Sequence, residues 1–151
     1  MENKKIKKKQ IEVLIKLLFI LYLIILFRIT VFRAGFSFEN LLKNGTINLT
    51  LFRGYLPILE GGHWFRFIYL FVGNIIWFVP FGAYLRYQEK FKATGIIVLL
   101  GFFLSLTIES LQYVFGTGYS ELDDLILNTL GAWLGTLLCK KISTILPLQK
   151  P

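Results

Sequence analysis

Two apolar stretches of this chain carry carboxylates and amides where hydrocarbon-like sequence has no ordinary use for them. In residues 101–115, Gly101, Ser105, Glu109 and Gln112 recur at spacings of four, four and three. In residues 121–135, Glu121, Asp124, Asn128, Gly131 and Gly135 recur at three, four, three and four. Both spacings put each set on one face of a helix. Glu109 and Asp124 meet the minimum for general acid–base chemistry on a polar group, and equally for gripping one. An ionised carboxylate in hydrocarbon costs several kcal/mol unless it is paired, hydrated or protonated. Glu109 is flanked by apolar residues, so it needs a partner. The rest of the chemical inventory is thin. There is one histidine, His63 in a GGHW loop, one cysteine, Cys139, and no Cys/His cluster or nucleophile elbow. No metal and no cofactor are expected.

The elements that must position these groups follow from composition. Of 151 residues, 55% are hydrophobic, and the mean hydropathy is +0.62. A polytopic membrane protein is the class this implies. The net charge of +8 does not indicate nucleic acid, because Lys and Arg sit at the ends of apolar runs and not along a polar face. The reading is an all-α bundle of four transmembrane helices in a single domain over 1–151, with helices at about 11–32, 67–85, 94–115 and 121–142. A basic tail covers 1–10, and an extracytoplasmic loop covers 33–66. The first apolar run is too long for a signal peptide and no small-x-small cleavage site follows it. Within the loop, INLTL at 47–51 alternates apolar and polar and reads as a short extended piece.

Local signals refine the helices. Asn74, Pro80 and Gly82 interrupt the second; Pro80 removes a backbone donor and crowds the Ile76 carbonyl, which predicts a kink. Ser120 and Asp123 read as a capping box, and a helix N-terminus favours acids such as Glu121 and Asp123. Gly131-x-x-x-Gly135 reads as a helix contact, either inside one chain or between copies, so a homo-oligomer is possible.

Orientation comes from the basic residues. With the N-terminus in the cytoplasm, Lys4, Lys5, Lys7, Lys8, Lys9, Lys16, Arg86, Lys90, Lys92, Lys140, Lys141 and Lys150 fall inside, and only Arg28, Arg33, Lys43, Arg53 and Arg66 outside. Both termini are therefore expected in the cytoplasm. At 1.5 Å per residue, Asn74 then lies roughly 10 Å and Glu109 and Gln112 roughly 5 to 10 Å below the outer ends of their helices. Asp124 and Asn128 share that layer, and Arg28 reaches it from the first helix. Matched depth makes Arg28 the expected ion-pair partner of Glu109. The polar cluster Asn74, Ser105, Glu109, Gln112, Asp124 and Asn128 is thus expected to face the outer leaflet, among membrane lipids.

NIIWFVPFG (74–82), SLTIESLQYVFGTG (105–118) and DDLILNTLGAWLG (123–135) resemble the VanZ-like family of bacterial membrane proteins. Asn74, Pro80, Gly82, Ser105, Glu109, Gln112, Asp124, Asn128, Gly131 and Gly135 occupy the places of that family's pattern. NLTLF (48–52) is similar to a short motif of members linked to teicoplanin resistance. The turn reads GTGYSELDD, without the Arg that many members carry, and so is similar to the acidic-turn subgroup that includes the resistance proteins. The resemblance covers about residues 48–139. It implies a multi-pass protein of the bacterial plasma membrane associated with reduced susceptibility to teicoplanin-type lipoglycopeptides, with the drug or a lipid-linked cell-wall precursor as the implied partner. Two alternatives stay open: an intramembrane enzyme using Glu109 and Asp124 as acid and base on a lipid headgroup, and a small lipid or drug transporter component.

Overall fold

The computed structural model describes residues 2–88, 91 and 93–145. Lys90, Lys92 and Lys150, used above for orientation, lie outside the described residues. In chain order the elements are α1 (Glu2–Thr30), β1 (Thr46–Asn48), α2 (Leu56–Glu60), α3 (Trp64–Tyr87), α4 (Thr94–Phe115), β2 (Tyr119–Glu121) and α5 (Leu122–Ile145). The four long helices α1, α3, α4 and α5 are each long and apolar enough to cross a membrane. The fold is the all-α membrane bundle expected, with boundaries shifted by a few residues. The one large shift is at the start, where α1 begins at Glu2. Lysine is a good helix former and no Gly or Pro interrupts residues 2–30, so nothing separates a tail from the first span.

The bundle is built around α5. It runs parallel to α3 along a seam of small residues. A Cβ on Gly131 would land on the Ile75 carbonyl, one on Gly135 on the Val79 carbonyl, and one on Gly82 on the Ala132 carbonyl. Without side chains at these points the two backbones come into contact, the arrangement that small-xxx-small spacing favours when lipid supplies no hydrophobic drive. The seam is internal: Gly131, Ala132 and Gly135 are all buried. The Gly131/Gly135 face is therefore taken up within one chain and does not serve as a surface between copies. Helix α4 packs on the same core, where Gly101 meets Ala132 and where Phe78, Phe81, Ile108 and Leu26 close around them.

Helix α1 is attached differently. Phe19 stacks on Tyr84 with ring centroids 3.7 Å apart, and the Tyr22 hydroxyl donates to the Trp77 carbonyl at 2.7 Å. That bond falls one residue from the Ile76 carbonyl whose helical donor Pro80 removes. Helix α3 is assigned as one helix through Pro80, which is exposed. Other apolar residues of α1, such as Leu17, Leu21 and Ile24, are more than half exposed and are left for lipid.

Residues 31–63 fold over the end of the bundle opposite the start of α1. Thr46–Asn48 is extended as expected, and its partner is β2: the pairing is parallel, with Ile47 opposite Ser120 and Asn48 opposite Glu121. Two residues of this connection, Leu42 and Phe52, hold positive φ (57° and 60°), a costly conformation for side-chain-bearing residues. Both use their amides to tie the loop down. Leu42 N–H donates to the Val114 carbonyl at 2.8 Å, and Phe52 N–H to Oδ2 of Asp123 at 2.9 Å. Asp123 thus fastens the loop, and Ser120 lies in a strand, where a capping box had been expected. At the end of α4, Gly116 takes the left-handed conformation (φ +60°) that stops the helix and lets Thr117 N–H reach the Gln112 carbonyl at 3.1 Å.

Candidate functional site: a carboxylate cavity at one end of the bundle

Asn74, Glu109, Gln112, Asp124 and Asn128, drawn from three helices, line one cavity of about 320 Å³. Ser105 stands one turn further in and does not line it; its Oγ accepts from Asn128 Nδ2 at 2.9 Å, fixing how the Asn128 amide is presented. Asn74 Nδ2 donates to Oδ1 of Asp124, which also receives the Tyr55 hydroxyl at 3.5 Å. Glu109 is buried at 4% exposure, and its Oε2 accepts from Glu121 N–H at 2.8 Å. That amide sits just ahead of the first turn of α5, where no helical acceptor is within reach. Gln112 donates through Nε2 to the Thr30 carbonyl at 3.3 Å, while its Oε1 is buried without a partner among the described residues. An unmet buried acceptor is costly.

Burial works against charge on these carboxylates, and the hydrogen bonds that offset it come from neutral donors. Glu109 is held by an amide, Asp124 by an amide side chain and a phenol, and Glu121 by Asn48, whose Nδ2 donates to Oε1 at 3.1 Å. Tyr55, in the loop, is the group whose titration reports this environment outside the spans. Burial first, and then the charges of Asp124, Asp123 and Glu121, push its pKa up, so it stays a hydrogen-bond donor. Its ring is seated edge-on against Phe67 and Phe71 of α3, at centroid distances of 5.7 and 5.8 Å.

The expected Arg28–Glu109 ion pair is not what forms. Arg28 is exposed and donates through Nη1 to the Phe32 carbonyl. Leu26, fully buried, marks the face of α1 that meets the bundle, and two residues further along a helix is about 200° round the axis. Matched depth placed Arg28 at the right level and on the wrong side. The cation of the cavity wall is Arg33, beyond the end of α1. Its Nε donates to the Thr117 carbonyl, and it lies so close over Gly118 that a Cβ there would meet its Nη2. Sequence reasoning counted Arg33 only as an outside charge. Tyr55 and Glu121 were also missed as wall residues. Tyr55 carried no signal at all, whereas Glu121 was already on the polar stripe of α5 and had been assigned to capping. His63, in the turn before α3, lines neither this cavity nor its neighbour.

Residues 19–146 match the profile of the VanZ/LLP1 family. The chain belongs to that family. It is 30% identical to protein VanZ of Enterococcus faecium over 128 residues, a match that covers 82% of this chain and 72% of that one. No solved structure matches it. The VanZ/LLP1 match starts within α1 and so takes in the helix that contributes Leu26, Ile29 and Thr30 to the cavity wall. Seen on the fold, the residues that carried the resemblance divide mainly between two tasks. Asn74, Glu109, Gln112, Asp124 and Asn128 wall the cavity, and Gly82, Gly131 and Gly135 let α3 and α5 touch.

Proposed function

We propose that this VanZ/LLP1 family protein lowers susceptibility to teicoplanin-type lipoglycopeptides at the outer leaflet of a bacterial plasma membrane, by binding the polar head of an amphiphile in the carboxylate cavity. One observation carries the reading. Three carboxylates, Glu109, Glu121 and Asp124, share a cavity wall with a single arginine, and their hydrogen bonds come from neutral groups. Such a wall accepts donors and cations, and its place among spanning helices suits a head whose tail lies in lipid. Teicoplanin carries an acyl tail, and the precursor it recognises is linked to a lipid, so both place a polar head beside hydrocarbon.

The test is deletion of the gene followed by complementation with the wild-type protein or the Glu109→Gln variant. Teicoplanin susceptibility should rise on deletion, return to the parental level with wild type and fail to return with the variant, while vancomycin susceptibility stays put. Equal shifts for both drugs, or no shift for either, would reject a tail-dependent role. A second reading rests on Glu109 and Asp124 occupying one wall: they are the acid and base of a headgroup-modifying enzyme. Membranes that turn over a lipid headgroup with wild type and not with Glu109→Gln would favour it.

A further inference from the structure

Beside the carboxylate cavity lies a second hollow of about 590 Å³, walled by Thr46, Asn48, Arg53, Ile58, Arg66 and Tyr119. Gly54, Leu70 and Glu121 belong to both walls, so the two spaces adjoin. Glycine is fitted at 54, because a Cβ there would press to 3.1 Å from Oε1 of Glu121. The two hollows differ in charge. The first carries three carboxylates and Arg33; the second carries Arg53 and Arg66, exposed, with Glu121 at the boundary. Neither the Arg53 nor the Arg66 guanidinium makes a hydrogen bond or ion pair among the described residues. Two unengaged guanidiniums on one wall suit a phosphate, which takes two parallel N–H donors from each planar fork. The carboxylate side suits an ammonium.

We infer that Arg53 and Arg66 form a phosphate subsite, and that the paired hollows take a zwitterionic phospholipid headgroup, phosphate at the arginines and ammonium toward Glu121 and Asp124. This rests on the reading of the carboxylate cavity as a ligand site and names the ligand class. The acyl chains have a way out. The inner wall is formed by Ile29 of α1 and by Tyr69, Leu70 and Trp77 of α3, all partly exposed. Below this level α1 is held to α3 by Tyr22 and Phe19; above it the cavity lies between the two helices. A lipid tail therefore leaves sideways into the bilayer without crossing the bundle.

The full chain, purified in detergent, is offered phosphatidylethanolamine, phosphatidic acid, phosphatidylglycerol or diacylglycerol, and lipid retention is read by native mass spectrometry. Wild type should retain phosphatidylethanolamine over phosphatidylglycerol and diacylglycerol. The double variant Arg53→Gln/Arg66→Gln should lose phosphatidylethanolamine and phosphatidic acid alike, by about tenfold or more, the loss typical of charge-assisted hydrogen bonds. Asp124→Asn/Glu121→Gln should lose phosphatidylethanolamine and keep phosphatidic acid. Lys43→Gln, outside both hollows, should change nothing. Retention of phosphatidylethanolamine by the arginine variant at the wild-type level, diacylglycerol bound as well as phosphatidylethanolamine, or soluble phosphoethanolamine competing as well as the lipid would each overturn the inference. The arginine positions are exposed, and Arg53→Lys/Arg66→Lys should restore part of the retention, which a folding defect would not. Lipid selectivity lost in these variants with teicoplanin susceptibility unchanged would uphold the subsite and reject the resistance role; the converse would reject the subsite alone.

Discussion

One face of α5 does two unlike things. Its first two turns present Asp124 and Asn128 to a cavity; its next two present Gly131 and Gly135 to the backbone of α3 with nothing between. The helical repeat is the same throughout, and so is the neighbouring helix. What changes is side-chain volume. Where the residues are glycine, the backbones of α3 and α5 meet and the space closes. Where they are Asp124 and Asn128, the side chains hold the helices apart and must satisfy one another, through Asn74 on α3 and Ser105 on α4. The seam supplies the rigid floor on which a polar pocket stays open.

That contrast is easiest to break at the seam. Gly131→Leu would drive a side chain into the Ile75 carbonyl, and it should cost about 3 kcal/mol or more, read as loss of the folded population in a denaturant titration in mild detergent. If the variant folds with near-normal stability, the close approach of α3 and α5 is not what holds the bundle. The loop over the cavity comes next. Asp123→Asn weakens the acceptor for Phe52 N–H and should cost about 1–2 kcal/mol, with faster amide exchange confined to residues around 46–60. Uniform acceleration across the helices would instead make Asp123 part of the bundle's general stability. Tyr55 adds a pH arm to the same measurement. Its folded pKa is raised, so its contribution is present below the ordinary tyrosine pKa of about 10 and is lost as pH climbs beyond it; the loop should loosen above that point in wild type and not in Tyr55→Phe.

A smaller effect sharpens the polar half. A double-mutant cycle of Ser105→Ala and Asn128→Ala should give a coupling of about 0.6 kcal/mol, the usual worth of a hydrogen bond between membrane helices. Zero coupling would mean that Ser105 does not fix the Asn128 amide. The smallest effect has the opposite sign. Leu42 is 67% exposed and held at φ 57°, so Leu42→Gly should stabilise by about 0.5 kcal/mol, the relief of the left-handed strain exceeding the added chain entropy. A loss of stability there would show that the exposed Leu42 side chain does more than occupy the turn.

Much of this was legible in the residues. The 3.6-residue repeat of polar groups selected the walls of the cavity because a helix face is a one-dimensional property, readable from spacing alone. Glu109 could be singled out because an unpartnered carboxylate in an apolar run is costly wherever it ends up. Rotation between helices was not readable. Arg28 and Leu26 differ by two positions and point to opposite sides of α1, and depth arithmetic is blind to that difference. The loop was the least legible part. Its extended piece was visible in the alternation of INLTL, but its pairing partner lies 73 residues away at Ser120, and long-range pairing leaves no local trace.

The sequence by itself determined that four helices are long and apolar enough to cross a membrane, which faces of α4 and α5 carry polar groups, and which glycines lie at a helix contact. These follow from hydropathy and periodicity, each a sum over near neighbours. Only the tertiary structure decided that Gly131 and Gly135 face α3 of the same chain, that Glu109 is held by a backbone amide and not by Arg28, and that Tyr55, Arg33, Arg53 and Arg66 stand around the polar cluster. Those contacts depend on the rotation of each helix about its axis and on the path of a folded loop, and both are fixed by packing among parts of the chain that are far apart in sequence.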